Sequence, residues 1–366
     1  MNDSKMPGDA TIRVAVVDDS MFIRKAITRM LDDEPMVEVV GSAGSGEELL
    51  THFEAWRPDV VTLDLDMPGM GGLATLDHIV GLQPTPVIIL STHSGKGAPL
   101  TIEALHRGAT DFIDKQRYSL VDFEALRGIL VEKILEVTGR SRSPDLSSVE
   151  LDAAEATAAK LTEEQARPRR IRTPGAYDLI VLGASTGGPP ILQEILESLG
   201  PLSLPIVVVQ HMPVGFTQAF AERLNAYLPL QVREAQQSET LLPDSVYIAP
   251  AGQHLRVRRQ DTELFADLSN HPDSVIHRPS IDILFESAAQ AVGRRALAAL
   301  LTGMGRDGAK GLAALKHRGA HTFCQDEESC IVFGMPRAAL ALNAVSEIAE
   351  PATIGRRMRD LANAQS

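Results

Sequence analysis

Residues 178–190 read DLIVLGASTGGPP. An apolar run enters a knot of Gly, Ser and Thr, and helix-like spacing follows in PPILQEILESL, residues 189–199. Strand, glycine-rich turn and helix in that order are the unit of a parallel α/β sheet. The same letters serve two chemistries. Ser185 can be a nucleophile on a sharp turn, or the loop can cradle a phosphate at a helix N-terminus. The rest of the chain has to separate them.

Outward from that stretch, the alternation repeats on both sides. Downstream, strands are predicted at PIVVVQ (205–210), ALAALLTG (296–303) and HTFCQD (321–326). Helices are predicted at 216–228, 280–293 and 308–319, and short runs between 229 and 268 (SVYIAP, HLRVRR, TELFAD) predict one or two inserted antiparallel hairpins. Upstream, IRVAVV (12–17), VEVVGS (37–42), DVVTLDL (59–65), PVIILS (86–91) and ATDFID (109–114) alternate with helical spacing, closing on a helix over 120–137. Two doubly wound α/β domains are expected, over 11–138 and 176–362. Between them, 139–175 is rich in Ser, Ala, Glu, Arg and Pro and lacks aromatics, so it reads as a long linker, with helical spacing over 151–167.

Composition narrows the function classes. The 366 residues carry a net charge of −13, which phosphate backbones repel, so nucleic acid is not an expected partner. Apolar residues make up 44% but aromatics only 4%, so the cores are aliphatic. Cys324 and Cys330 alone form neither a disulfide framework nor a four-ligand zinc site. There is no apolar signal core in residues 1–20 and no run long enough to span a bilayer. A cytoplasmic protein, not inserted in a membrane, is expected.

In the first half, acidic residues collect at strand ends. Asp18 and Asp19 follow the first strand and Asp64 ends the third, while Ser91 and Lys115 close the fourth and fifth. In a parallel α/β sheet these ends meet in one crevice. Three converging carboxylates repel one another unless a divalent cation sits between them, and an all-oxygen set suits Mg²⁺. The hydroxyl and ammonium at the same rim can hold phosphoryl oxygens. On these residues, 11–138 resembles a response-regulator receiver domain. The resemblance implies phosphorylation at Asp64, with Mg²⁺ held by Asp18, Asp19 and Asp64, and Ser91 and Lys115 as the switch pair. Two positions depart from that pattern: Gln116 stands where receivers commonly have Pro, and Gly71 where many carry Asp.

In the second half, GASTGG has three readings. A dinucleotide turn of the short-chain dehydrogenase kind needs a Tyr with a Lys four residues on, and Tyr177, Tyr227 and Tyr247 all lack one. An α/β-hydrolase elbow needs an acid and then a His after the serine, an order available from Asp282 with His317 or His321. The third reading takes His211, at the end of PIVVVQH, as the base, and Asp307, in LLTGMGRDGAKG, as the acid that orients it. All three residues then fall at one edge of one sheet.

The motifs GASTGGPP, VVVQHMPVGFTQAFAERLN, VYIAPAGQHL, HRPSIDILFESAA, LLTGMGRDGAKGL and CQDEESCIVFGMPRAA are similar, in that order, to the catalytic domain of chemotaxis-type protein-glutamate methylesterases. The resemblance implies nucleophile Ser185, base His211 and acid Asp307. Backbone N–H groups near Thr186 or Met304 are candidate oxyanion donors. It implies methylated cytoplasmic domains of chemoreceptors as substrate, receptor glutamines as a possible second one, a chemotaxis-type histidine kinase as phosphodonor, and no cofactor for the ester hydrolysis. Occlusion of the Ser185 cleft by the unphosphorylated receiver is the simplest expected control. The contrasting expectations are a non-catalytic receiver adaptor that only binds receptors, and a DNA-binding regulator, for which the sequence after the linker offers no recognition helix.

Overall fold

The computed structural model describes residues 11–91, 97–115, 123–140 and 177–364. The chain divides into two compact units at residues 142 and 143. Nearly all of the expected linker, with its helical spacing over 151–167, lies outside the described residues, as does Gln116.

The first unit alternates strand and helix throughout: β1 (Ile12–Val17), α1 (Met21–Asp32), β2 (Val37–Ala43), α2 (Gly46–Trp56), β3 (Val60–Asp64), α3 (Gly71–Leu82), β4 (Val87–Ser91), α4 (Gly97–His106), β5 (Asp111–Asp114) and α5 (Phe123–Val137). The strands form one parallel sheet in the order β2-β1-β3-β4-β5. Strands β3, β4 and β5 are buried along their whole length, because helices cover both faces, and this is why they read as unbroken apolar runs. Ser20 caps α1 by accepting the Ile23 N–H, and Ser45 caps α2 by accepting the Glu48 N–H.

The second unit holds β6 (Leu179–Ala184), α6 (Gly188–Leu199), β7 (Ile206–Gln210), α7 (Phe216–Tyr227), β8 (Gln231–Glu234), β9 (Ser245–Ile248), β10 (His254–Gln260), β11 (Glu263–Ser269), α8 (Ile281–Ala291), β12 (Ala296–Leu300), α9 (Ala309–His317), β13 (His321–Gln325), α10 (Met335–Ala341), β14 (Glu347–Ala349) and α11 (Pro351–Asn363). Its main sheet runs β14-β13-β12-β6-β7-β9-β8, every neighbouring pair parallel. The chain starts in the middle at β6, winds one way through β7, then returns to β12 on the other side. Such a reversal opens a crevice at the carboxyl ends of the central strands.

The inserted region holds the expected antiparallel hairpin, with one departure from the sequence expectation. β10 and β11 pair antiparallel, from His254↔Ser269 to Gln260↔Glu263, and Thr240 adds an antiparallel bridge to Phe265. The SVYI run became β9, a buried parallel strand of the main sheet, with the unforeseen β8 beside it at the edge. A four-residue apolar run carries no sign of which neighbour it will pair with, so length and pattern could not tell a hairpin arm from a sheet strand.

Helices α8 and α9 approach closely at Gly311. A Cβ there would lie 2.6 Å from the Phe285 Cβ and 2.8 Å from the Asp282 carbonyl oxygen. Gly311→Ala is expected to push the two helices apart, at a cost of about 1–3 kcal/mol for overpacking. Because Asp307 sits just before α9, turnover should fall with it. Urea unfolding and turnover of the full chain check this, and a variant as stable and as active as wild type would contradict it.

Candidate active site

The three strands at the centre of the crevice each lead to one candidate residue. Ser185 follows β6, and its N–H donates to the Thr302 carbonyl, 3.0 Å away, in the segment after β12. The chain then turns at once: the Gly188 N–H donates back to the Ser185 carbonyl at 2.8 Å, and α6 begins. Ser185 therefore stands on a strand-to-helix elbow. His211 follows β7, its N–H donating to the Ala184 carbonyl at 3.1 Å. Its Nδ1 lies 3.3 Å from the Ser185 hydroxyl and its Nε2 lies 2.9 Å from Asp307 Oδ2. The nitrogens are used in the reverse sense to chymotrypsin-type triads, where Nε2 faces the serine.

Asp307 comes from the turn between β12 and α9, and it is held from four directions. Oδ2 accepts the His211 ring nitrogen and the Ile281 N–H (2.7 Å). Oδ1 accepts the Ser280 hydroxyl (2.8 Å) and the Asp282 N–H (3.1 Å). Three of these donors belong to the start of α8, whose N-terminus favours negative charge. Burial alone would raise the Asp307 carboxyl, but His211 and the Ile281 and Asp282 N–H groups outweigh it and hold it well below the usual carboxylate range. It stays ionised and accepts, which favours a proton on His211 Nε2. Nδ1 is left facing the Ser185 hydroxyl.

Three supporting residues had no role assigned from sequence. The His277 ring stacks on His211, centroids 4.3 Å apart and 13° from parallel. Its outer face is exposed; desolvation of the stacked face and the neighbouring His211 push its pKa down, with Asp307 opposing. Ser280 both caps α8, accepting the Ile283 N–H, and donates to Asp307. Buried His254 accepts the Ser280 N–H at Nδ1 (3.3 Å). The N-cap position of Ser280, just ahead of an apolar helix, was a usable signal. The two stacking and backing histidines left none.

The other candidates also have places. Buried Thr186 gives its carbonyl to the Thr302 hydroxyl at 2.9 Å. The half-buried Met304 N–H has no protein acceptor among the described residues. Asp282 does not meet His317 or His321 in any hydrogen bond; it accepts the Gly311 N–H at 2.7 Å, and His321 faces Glu347 at 3.1 Å. The elbow order of α/β-hydrolases is therefore not assembled from these residues.

In the first unit, Asp18, Asp19 and Asp64 bring carboxylate oxygens within 4.8 Å of one another. Lys115 Nζ lies 2.7 Å from Asp18 Oδ2 and 3.0 Å from Asp64 Oδ2. Burial raises the pKa of Asp18, Lys115 pulls it down, and the Asp64 charge pushes it up again. Ser91 closes β4, its hydroxyl meeting that of Thr101 on α4. An all-carboxylate set this crowded fits a hard divalent cation.

The two units thus define a class: a domain of receiver type, with a carboxylate cluster at its rim, joined to a second α/β domain in which Ser185, His211 and Asp307 meet. Residues 14–122 match the response regulator receiver domain and residues 180–358 match the CheB methylesterase. The chain is 40% identical over 351 residues to protein-glutamate methylesterase/protein-glutamine glutaminase 3 of Burkholderia lata, covering 95% of this chain and 94% of that one. It is 39% identical to the protein-glutamate methylesterase/protein-glutamine glutaminase of Halalkalibacterium halodurans, covering 93% and 95%. The solved CheB methylesterase catalytic domain of Thermotoga maritima is 36% identical, with a TM-score of 0.48 over 51% of this chain and 99% of that one. The chain belongs to the protein-glutamate methylesterase/protein-glutamine glutaminase family.

Asp282 allows a pH test of the wall behind the site. Burial raises its carboxyl to about 6, against the pull of the Gly311 N–H and helped by the charges of Asp307 and Glu286. The unfolded chain ionises this group near 3.9, about two units lower. Folding is therefore penalised increasingly as pH rises from about 4 to about 6, and by a constant amount above that. Asp282→Asn keeps an acceptor for Gly311 and removes the charge. Its melting temperature should exceed that of wild type near pH 8 and match it near pH 4. A difference that does not change with pH would contradict this account.

Proposed function

We propose that this protein hydrolyses methyl esters on glutamate side chains in the cytoplasmic domains of chemoreceptors, under control of phosphorylation at Asp64. The observation that carries the reading is His211 spanning Ser185 and Asp307, at 3.3 and 2.9 Å. Residues 11–138 act as the receiver and 176–362 as the catalytic domain, in the cytoplasm. The relatives' shared name, with its glutaminase part, supports a second activity on receptor glutamines by the same route.

In the proposed reaction, the Ser185 Oγ attacks the ester carbonyl carbon while His211 Nδ1 takes its proton. Charge on the carbonyl oxygen is met by backbone N–H groups, with those of Met304 and Thr186 as the candidate donors. The tetrahedral species collapses as His211 returns the proton to the departing methoxy oxygen, releasing methanol. Water, activated by the same imidazole, then frees the acyl group as glutamate. Asp307 stays ionised throughout and stabilises the imidazolium. For glutamine the leaving group is ammonia and the remaining steps are unchanged.

In the receiver, Asp64 is the phosphoryl acceptor from a chemotaxis-type histidine kinase. Asp18, Asp19 and Asp64 would hold Mg²⁺, which neutralises charge on the transferring group. Lys115 and Ser91 receive the phosphoryl oxygens.

Methanol release from a methyl-esterified receptor fragment, with and without a small-molecule phosphodonor, tests this directly. Ser185→Ala should abolish release while leaving the protein folded. Asp307→Asn should lose about 10⁴-fold through the wrong tautomer, less than loss of the nucleophile. Asp64→Asn should remove the phosphodonor's effect. Undiminished release by Ser185→Ala would reject the reading, and no release by wild type would favour a non-catalytic adaptor.

A further inference from the structure

We infer that Gln210 is a positioning residue that ties the backbone of Ser185 to that of His211 and so sets the reach between nucleophile and base. The inference rests on the roles proposed above for those two residues.

Parallel pairing between β6 and β7 ends at Ala184↔Gln210. The last backbone rung is the His211 N–H donating to the Ala184 carbonyl at 3.1 Å. Past that point the strands offer no ladder, yet the next residue on each side must meet its counterpart through its side chain. Gln210, the final residue of β7 and 2% exposed, fills this gap. Its Nε2 donates to the Ser185 carbonyl at 2.8 Å and to the His211 carbonyl at 3.1 Å. One amide nitrogen has two hydrogens, and each goes to one of the two residues whose distance matters. The side chain acts as an extra rung placed one step beyond the sheet.

The orientation and the choice of residue both argue for this use. Turning the amide over would set its oxygen against two carbonyl oxygens. As it stands, Oε1 has no hydrogen-bond partner among the described residues and lies against the first turn of α6, where a Cβ on Gly188 would come within 2.1 Å of it. A buried carbonyl without a donor is a cost that an apolar side chain of the same length would avoid. The amide is kept for its two N–H groups, and Gly188, the last glycine of the 183–188 turn, is what leaves room for it. Gln210 is too buried to touch a substrate, so its effect falls on the alignment of reacting atoms and leaves binding alone.

The test uses the full chain with a phosphodonor and a receptor cytoplasmic fragment bearing tritiated methyl esters. Gln210→Met keeps length and removes both donors. It should lower kcat about tenfold to hundredfold, the scale of a misplacement of about 1 Å, with KM within about twofold and a cooperative melting transition. Gln210→Glu supplies a readout that a merely structural role would not move. Its carboxyl, buried against two carbonyl oxygens, gains a proton readily and then donates one O–H. The ratio of its kcat to that of wild type should climb as pH falls, while the Gln210→Met ratio stays flat. Wild-type kcat in Gln210→Met, or a Gln210→Glu ratio that does not change with pH, would overturn the inference. Should Gln210→Met not fold, the Gln210→Glu ratio decides alone. The two levels fail differently: active Ser185→Ala sinks the triad itself, whereas inactive Ser185→Ala with fully active Gln210→Met sinks only the role of Gln210.

Discussion

The catalytic half is organised around one carboxylate. Asp307 leaves β12, reaches the first turn of α8, and gathers two backbone N–H groups, the Ser280 hydroxyl and the His211 ring. The helix start satisfies its otherwise unpaired N–H groups, and the carboxylate gains a site where it remains ionised despite burial. Remove that contact and the start of α8 loses the acceptor of its first two N–H groups, while His211 loses the partner that orients its ring. Fold and chemistry share the same hydrogen bonds here.

A parallel sheet makes such a site reachable by short stretches of chain. Residues 185, 211 and 307 are far apart in sequence but follow adjacent strands, β6, β7 and β12, that all stop at one edge. The receiver uses the same device for different ends: β1, β3, β4 and β5 bring Asp18, Asp64, Ser91 and Lys115 to one rim. The glycine-rich turn at 183–188 therefore has no need of a phosphate. Its glycines make room for a serine elbow and for Gln210, while the carboxylate cluster fitted to phosphoryl chemistry stands in the other unit.

Much of this was legible from residues. Unbroken apolar runs marked the buried strands, and their last polar residues marked the two crevices, because strand ends are where a parallel sheet exposes side chains. The short SVYI run was not legible, since four apolar residues do not say whether their partner is parallel or antiparallel. Ser280, His254, His277 and Gln210 were missed for a different reason. Each acts through another residue, by capping, stacking or bridging, and that requires knowing which elements meet. In the sequence Gln210 is one more residue before the histidine; only the register Ala184↔Gln210 turns it into a bridge.

The claim most exposed to test is that Asp307 fixes the proton of His211 on Nε2 and leaves Nδ1 bare toward Ser185. Nitrogen NMR of the full chain, labelled at histidine and assigned through a His211→Gln control, reads the two ring nitrogens separately at mildly alkaline pH. The expected spectrum has a protonated Nε2 and an unprotonated Nδ1 on His211. A proton on Nδ1 would contradict it.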